Sequence, residues 1–85
     1  MEVTFKYFAW MRERIGVAEE KVTLPESVST VADAMRWLKD RGEGYAAAFD
    51  REDIIRAALD QTHAPHTASI KGSREVAFFP PVTGG

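Results

Sequence analysis

Only one stretch of the chain reads without ambiguity as a long helix. In STVADAMRWLKDRG (29–42), Val31, Ala34, Met35 and Leu38 recur at i, i+3, i+4 and i+7 and define a single apolar stripe. Thr30 can cap its start, with Asp33 three residues on in a variant of the capping box. Lys39 and Arg41 fall in the last turn, where the helix dipole favours cations, and Gly42 suits a left-handed exit. Trp37 lies off the stripe and is expected to cover an edge of the core. A lone striped helix must bury its face against something, and what surrounds it is strand-like, so the constraint is an α+β layer pair.

EVTFKYF (2–8) alternates, with Val3, Phe5 and Tyr7 to one side and Thr4, Lys6 and Phe8 to the other. AWMRERIG (9–16) reads as a helical turn or two closed by Gly16. EEKVTLPE (19–26) alternates again and Pro25 stops it; the connection between the two strands fits an antiparallel pair with a broad loop. GYAAAFDRED (44–53) leans to a short helix through Ala46–Ala48 and then to a solvated stretch. IIRAALDQTHA (54–64) reads as a strand from Ile54 and Ile55, a turn near Asp60–Gln61 and a short return through His63. PHTASIKGSR (65–74) is a loop anchored by Ile70, with a turn at Lys71–Gly72–Ser73. EVAFF (75–79) is a final strand, with Val76 and Phe78 on one face and Ala77 and Phe79 on the other. One main helix (29–42) over a small mixed sheet fits an α+β roll of the ubiquitin type, a β-grasp, spanning 1–79 with residues 80–85 as an extended tail; periodicity alone leaves it one of several candidate folds.

With 85 residues there is room for one domain. A formal charge of −2 supplies no broad basic field, which argues against a nucleic-acid partner. No apolar run approaches the length of a membrane span, and MEVTFKYFAW lacks the pattern of a secretory signal. The absence of cysteine excludes disulfides, zinc–thiolate sites and a cysteine nucleophile, and a cytoplasmic protein is the simplest reading. His63 and His66 are the only histidines, with Pro65 between them, too few for a metal site. Asp50, Glu52 and Asp53 lack the glycine and distal glutamate of a calcium loop. The serines at 27, 29, 69 and 73 have no His–Asp context, and there is no Gly-rich phosphate loop.

The chemistry concentrates in EVAFFPPVTGG (75–85). Pro80 and Pro81 fix φ and donate no hydrogen bond, so the sheet ends at Phe79 and the chain leaves it extended through Val82 and Thr83. Gly84 and Gly85 have no Cβ and can thread a channel closed to other residues. The terminal carboxylate is a poor electrophile until it is coupled to AMP; a sulfur nucleophile then yields a thiocarboxylate, and an amine an amide. A Gly-Gly end is also what simple fraying looks like.

That tail strongly resembles the C-terminal signature of the molybdopterin synthase small subunit, the MoaD family of sulfur carriers. FAWMRERIG is similar to the family's pattern at Phe8, Ala9, Arg12, Glu13 and Gly16, and AALDQT to its Ala-Ala-x-Asn-Gln-Thr, with Asp60 where Asn is usual. KGSREV departs from the family's acidic Asp-Gly-Asp-Glu-Val turn, which alters local charge toward a partner. The resemblance covers the whole chain and implies a β-grasp fold. It implies that a ubiquitin-activator-like adenylyltransferase uses ATP to adenylate Gly85, and that a sulfur source converts the adenylate to a thiocarboxylate. It implies that the tail enters the synthase large subunit, where the sulfur attacks cyclic pyranopterin monophosphate within a heterotetramer. The chain itself would bind no cofactor and, without the large subunit's catalytic groups, would be inactive. Gly85 is then the carrier residue and Gly84 the slim residue behind it, with Pro80 and Pro81 aiming the tail. Phe79, on the exposed sheet face, and Arg12 are the expected partner contacts; their alternatives are a satellite cluster of Phe79 with Phe8 and a solvated Arg12. Other readings are a carrier for thiazole synthesis, a ubiquitin-like modifier forming isopeptide bonds, and an interaction module with an inert tail.

Overall fold

A computed structural model describes residues 1–81. In chain order it holds β1 (Glu2–Tyr7), α1 (Ala9–Ile15), β2 (Glu19–Thr23), α2 (Val31–Lys39), α3 (Glu43–Ala48), a 3₁₀ turn (Glu52–Ile54), β3 (Arg56–Leu59), β4 (Thr62–Ala64) and β5 (Glu75–Phe79). The strands form one sheet in the order β2-β1-β5-β3-β4. β1 and β5 run parallel, and the other neighbours are antiparallel. The helices cover one face, which is the β-grasp arrangement.

Alternation puts Val3, Phe5 and Tyr7 of β1 and Val76 and Phe78 of β5 into the core, each at most 1% exposed. Phe78 is the hub of that core, with ring centroids 5.9 Å from Phe5 and 5.1 Å from Phe49. The α2 stripe of Val31, Ala34, Met35 and Leu38 is fully buried over them. The capping box forms as the spacing predicts: the Asp33 amide donates to Thr30 Oγ1 (3.1 Å), and Asp33 Oδ2 accepts from the Thr30 amide (3.2 Å). Trp37 packs half-buried against the edge of the core.

Three sequence expectations are corrected. The helix expected over 29–42 spans Val31–Lys39, and Gly42 is not its left-handed exit. Gly42 has φ 161°, ordinary extended backbone, and precedes α3, its carbonyl accepting from the Ala46 amide (2.9 Å). α2 stops early because the next helix starts there: Arg41 turns away to an ion pair with Glu20 (3.0 Å). The strand expected from Ile54 begins at Arg56. Ile54 closes the 3₁₀ turn, its amide donating to Arg51 O (3.2 Å), and only Ile55 is extended and buried.

The turns follow the sequence closely. Gly16 (φ 97°) closes α1, and Gly72 (φ 84°) sits in the expected Lys71–Gly72–Ser73 turn. Asp60 and Gln61 both have positive φ (47° and 71°) and link β3 to β4 as a two-residue hairpin. Asp60 pins that hairpin to β5: its Oδ1 accepts from the Arg74 and Glu75 amides, both at 3.0 Å. An asparagine oxygen could make the same two bonds.

Candidate functional site

The helix-free face of the sheet carries an apolar groove with a polar edge. At that edge, toward the end of β1, Lys6 stands beside Ala77 in the register and its Nζ lies 3.1 Å from Oε1 of the groove-lining Glu75; this hydrogen-bonded partner raises the lysine pKa above its usual range. Ala58 and Ala77 are register partners on β3 and β5 and make the groove's floor. Because they are small, the larger neighbours stand up around them as walls: Phe8 and Trp10 from the end of β1 and from α1, Phe79 from β5 and His63 from β4, with Ile54 also lining the groove.

Each wall is set by local structure. The parallel register pairs Tyr7 with Phe78, so the next residues, Phe8 and Phe79, are neighbours on the open face. The Phe8 amide donates to Phe78 O (3.2 Å) and holds the end of β1 there. Ala9 follows with φ 54°, a left-handed conformation that costs roughly 1 kcal/mol outside glycine. That corner sends Met11 into the core while Phe8 stays on the other side, 46% exposed. The Arg14 guanidinium lies 4.4 Å above the Trp10 ring and fixes the second aromatic. On β4, the His63 ring meets Phe79 edge-on with centroids 5.3 Å apart.

Phe79 therefore stands on the face opposite Val76 and Phe78, half-buried, as alternation predicts. Pairing of β5 ends with Phe79 opposite Arg56, and Pro80 and Pro81 continue along the groove. Val82, Thr83, Gly84 and Gly85 lie outside the described residues. Arg12 is exposed on α1, and the groove draws on Ala9 and Trp10 of that helix instead, so the structure does not bring Arg12 and Phe79 to one lining. Sequence reasoning set Phe8 beside Phe79 only as a satellite cluster and gave Trp10, Ala58, Ala77 and His63 no role in a site. The alternation of EVTFKYF placed Phe8 on the correct face; what it could not supply was the parallel β1–β5 pairing that makes these residues converge.

Among the described residues no group of three His, Cys, Asp or Glu side chains is placed to hold a metal ion. His66 is committed to the fold, with Nε2 2.7 Å from the Ile55 carbonyl oxygen. The groove is built for contact: an apolar trough rimmed by aromatics, with two stiff prolines at its margin, suits a protein surface.

Residues 5–85 match the ThiS family. The chain is 35% identical over 79 residues to the molybdopterin synthase sulfur carrier subunit of Haemophilus influenzae, covering 93% of this chain and 94% of that one. Among solved structures, it is similar to a Pyrococcus furiosus protein described as a molybdopterin converting factor, subunit 1, at 30% identity and a TM-score of 0.75, covering 96% and 99% of the two chains. It is also similar to SAMP1 of Haloferax volcanii, at 26% identity and a TM-score of 0.73 over all of both chains.

Proposed function

The chain belongs to the ThiS family and is a sulfur carrier of that type, and from that premise we propose that it serves as the small subunit of a molybdopterin synthase. The observation that supports this most is the joining of the apolar groove to the tail's root: Phe79, Pro80 and Pro81 line the groove, and VTGG follows directly. A partner seated on the groove takes up the tail in the same act. The sheet gives the partner a rigid platform, the prolines limit the directions in which the tail can leave, and the glycines admit it to a narrow channel.

In this reading an adenylyltransferase of the ubiquitin-activator class joins the Gly85 carboxylate to AMP, releasing pyrophosphate from ATP. Sulfur attacks the acyl carbon, the bond to the AMP oxygen breaks, and a thiocarboxylate remains on Gly85. The large subunit then docks on the groove and receives the tail, and the sulfur attacks cyclic pyranopterin monophosphate. Two loaded carriers supply the two sulfurs of the product dithiolene, in a heterotetramer. The acid–base groups belong to the large subunit; this chain binds no cofactor of its own and contributes the platform, the spacer and the carried sulfur. The proposed setting is the cytoplasm; no helix among the described residues is long and apolar enough to cross a membrane.

The test is the intact mass of the chain after incubation with its activating enzyme, ATP and a sulfur source. The expected result is a gain equal to exchanging one oxygen for sulfur, abolished by deleting Gly85, with dithiolene formation once the large subunit and precursor are added. No gain with an activating enzyme shown to form the adenylate sinks the reading. Recovery of the chain in covalent linkage to lysines of other proteins would point to a modifier instead.

A further inference from the structure

The groove's rim carries a charge that no ion pair among the described residues neutralises. Arg56 opens β3 between Ile55 and Ala57, both buried in the core, so alternation turns its side chain to the open face. Its register partner on that face is Phe79, and the next same-face residue on β3 is Ala58. Arg56 is exposed and stands just outside the groove lining, at the end of the sheet where Pro80 begins. Asp53, three residues before it, is held by Arg51, while Glu75 and Asp60 belong to the other end of β5 and β3, where Glu75 is held by Lys6 and Asp60 accepts from two backbone amides. Among the described residues the ion pairs are Lys6–Glu75, Arg41–Glu20 and Arg51–Asp53, and Arg56 enters none of them.

A partner that covers Phe79 must also approach this guanidinium. Covering it without an opposite charge strips its water at a cost; covering it with a carboxylate gives a charge-assisted, bidentate contact. We propose that the partner docked on this groove presents an apolar side chain to the Ala58–Ala77 floor and, beside it, a carboxylate that pairs with Arg56. The inference rests on the carrier reading above and names the chemistry of the partner surface. Arg56 is then a specificity determinant. It rewards a partner with an acidic rim and penalises a purely apolar one, because discrimination needs a repulsive element as well as an attractive one.

The experiment is titration calorimetry of the whole chain against the molybdopterin synthase large subunit from the same source, at low and high sodium chloride, with R56E, R56L and R56K. Each substitution sits on an exposed position, and unchanged circular dichroism confirms folding. The expected result is R56E weaker by about tenfold or more and R56L weaker by about threefold, with R56K between R56L and the unchanged chain because lysine keeps the charge and loses the bidentate fork. Salt should weaken the unchanged chain and R56K but leave R56L nearly flat. If R56L binds as tightly as the unchanged chain or tighter, or R56E binds equally well, no carboxylate faces Arg56 and the proposal is overturned alone. If the unchanged chain itself does not bind the large subunit, the carrier reading fails and takes the proposal with it.

Discussion

Gly44 offers a direct test of how tightly α1 and α3 are packed. A Cβ placed on residue 44 would collide with the carbonyl oxygen of Arg14, with the Cα of Ile15 already in van der Waals contact behind it. Both obstacles are backbone, so no side-chain rotation relieves them and the helices must move apart. The same seam carries the hydrogen bond from Arg14 Nη1 to Ala47 O (3.1 Å), which would stretch, and it backs onto Met11 and Ala48, both fully buried. Forcing an extra methyl into a packed contact costs about 1–3 kcal/mol, and a collision with backbone that cannot rotate away puts this one at about 2–3 kcal/mol. Replacing glycine by alanine in a helix returns at most about 1 kcal/mol. Gly44→Ala should therefore lose about 1–2 kcal/mol, even though propensity alone predicts a gain. For a domain of this size that lowers Tm by about 4–16 °C. Urea unfolding followed by tryptophan fluorescence is a suitable assay, since Trp10 lies on α1 beneath Arg14. A midpoint equal to or above that of the unchanged chain, with the same slope, would mean that the two backbones are not in contact, and the reasoning would be wrong.

Two further outcomes are expected. Burial on its own raises the Glu20 pKa, but hydrogen bonds from Tyr45 and Tyr7 and the Arg41 guanidinium outweigh it and hold the carboxyl below the usual carboxylate range. A carboxyl depressed by folding stabilises the fold above its unfolded pKa, about 4.3, and ceases to do so as pH falls through its lower folded pKa. Glu20→Gln should thus flatten the acid limb of stability measured by urea unfolding below about pH 4, and a slope equal to that of the unchanged chain would count against the cluster. Phe79→Ala should leave the fold standing, because the ring faces away from the core, while weakening docking to the large subunit by about thirtyfold, as expected for an aromatic anchor; calorimetry showing undiminished affinity would remove the groove as the docking site.

Where the sequence was legible, a local rule and the tertiary structure asked for the same residue. β1 and β5 read correctly because one face of each is buried, so alternation is enforced by the core. Thr30 with Asp33, Gly16, Gly72 and the Asp60–Gln61 pair read correctly because caps and turns are decided within a few residues. Gly42 misled because a glycine after a cationic helix end also fits a tight junction to another helix, and the ion pair that draws Arg41 to Glu20 is contributed from a distant strand. Ile54 misled because β-branching favours a strand while the Arg51–Asp53 segment winds into a 3₁₀ turn. The groove was legible only in fragments. Phe79 announced itself next to the prolines, but the other aromatics of the groove, Phe8 and Trp10, lie some seventy positions earlier in the numbering. Only the parallel pairing of β1 with β5 brings the two together.

That pairing also governs the order in which the molecule can be assembled. β1 with β2, joined through α1, and β3 with β4, joined by two residues, are local antiparallel pairs that share no edge with each other; β5, the fifth strand in chain order, is the piece between them. Until it is inserted the sheet is two halves, and Phe78, the hub of the aromatic core, is missing. Non-local strand insertion of this kind is slow compared with hairpin closure. The segment that completes the sheet is also the one from which Pro80 and Pro81 depart. The root of the tail therefore takes up its place only on a finished domain, and a half-made chain has neither the platform nor the groove to show a partner.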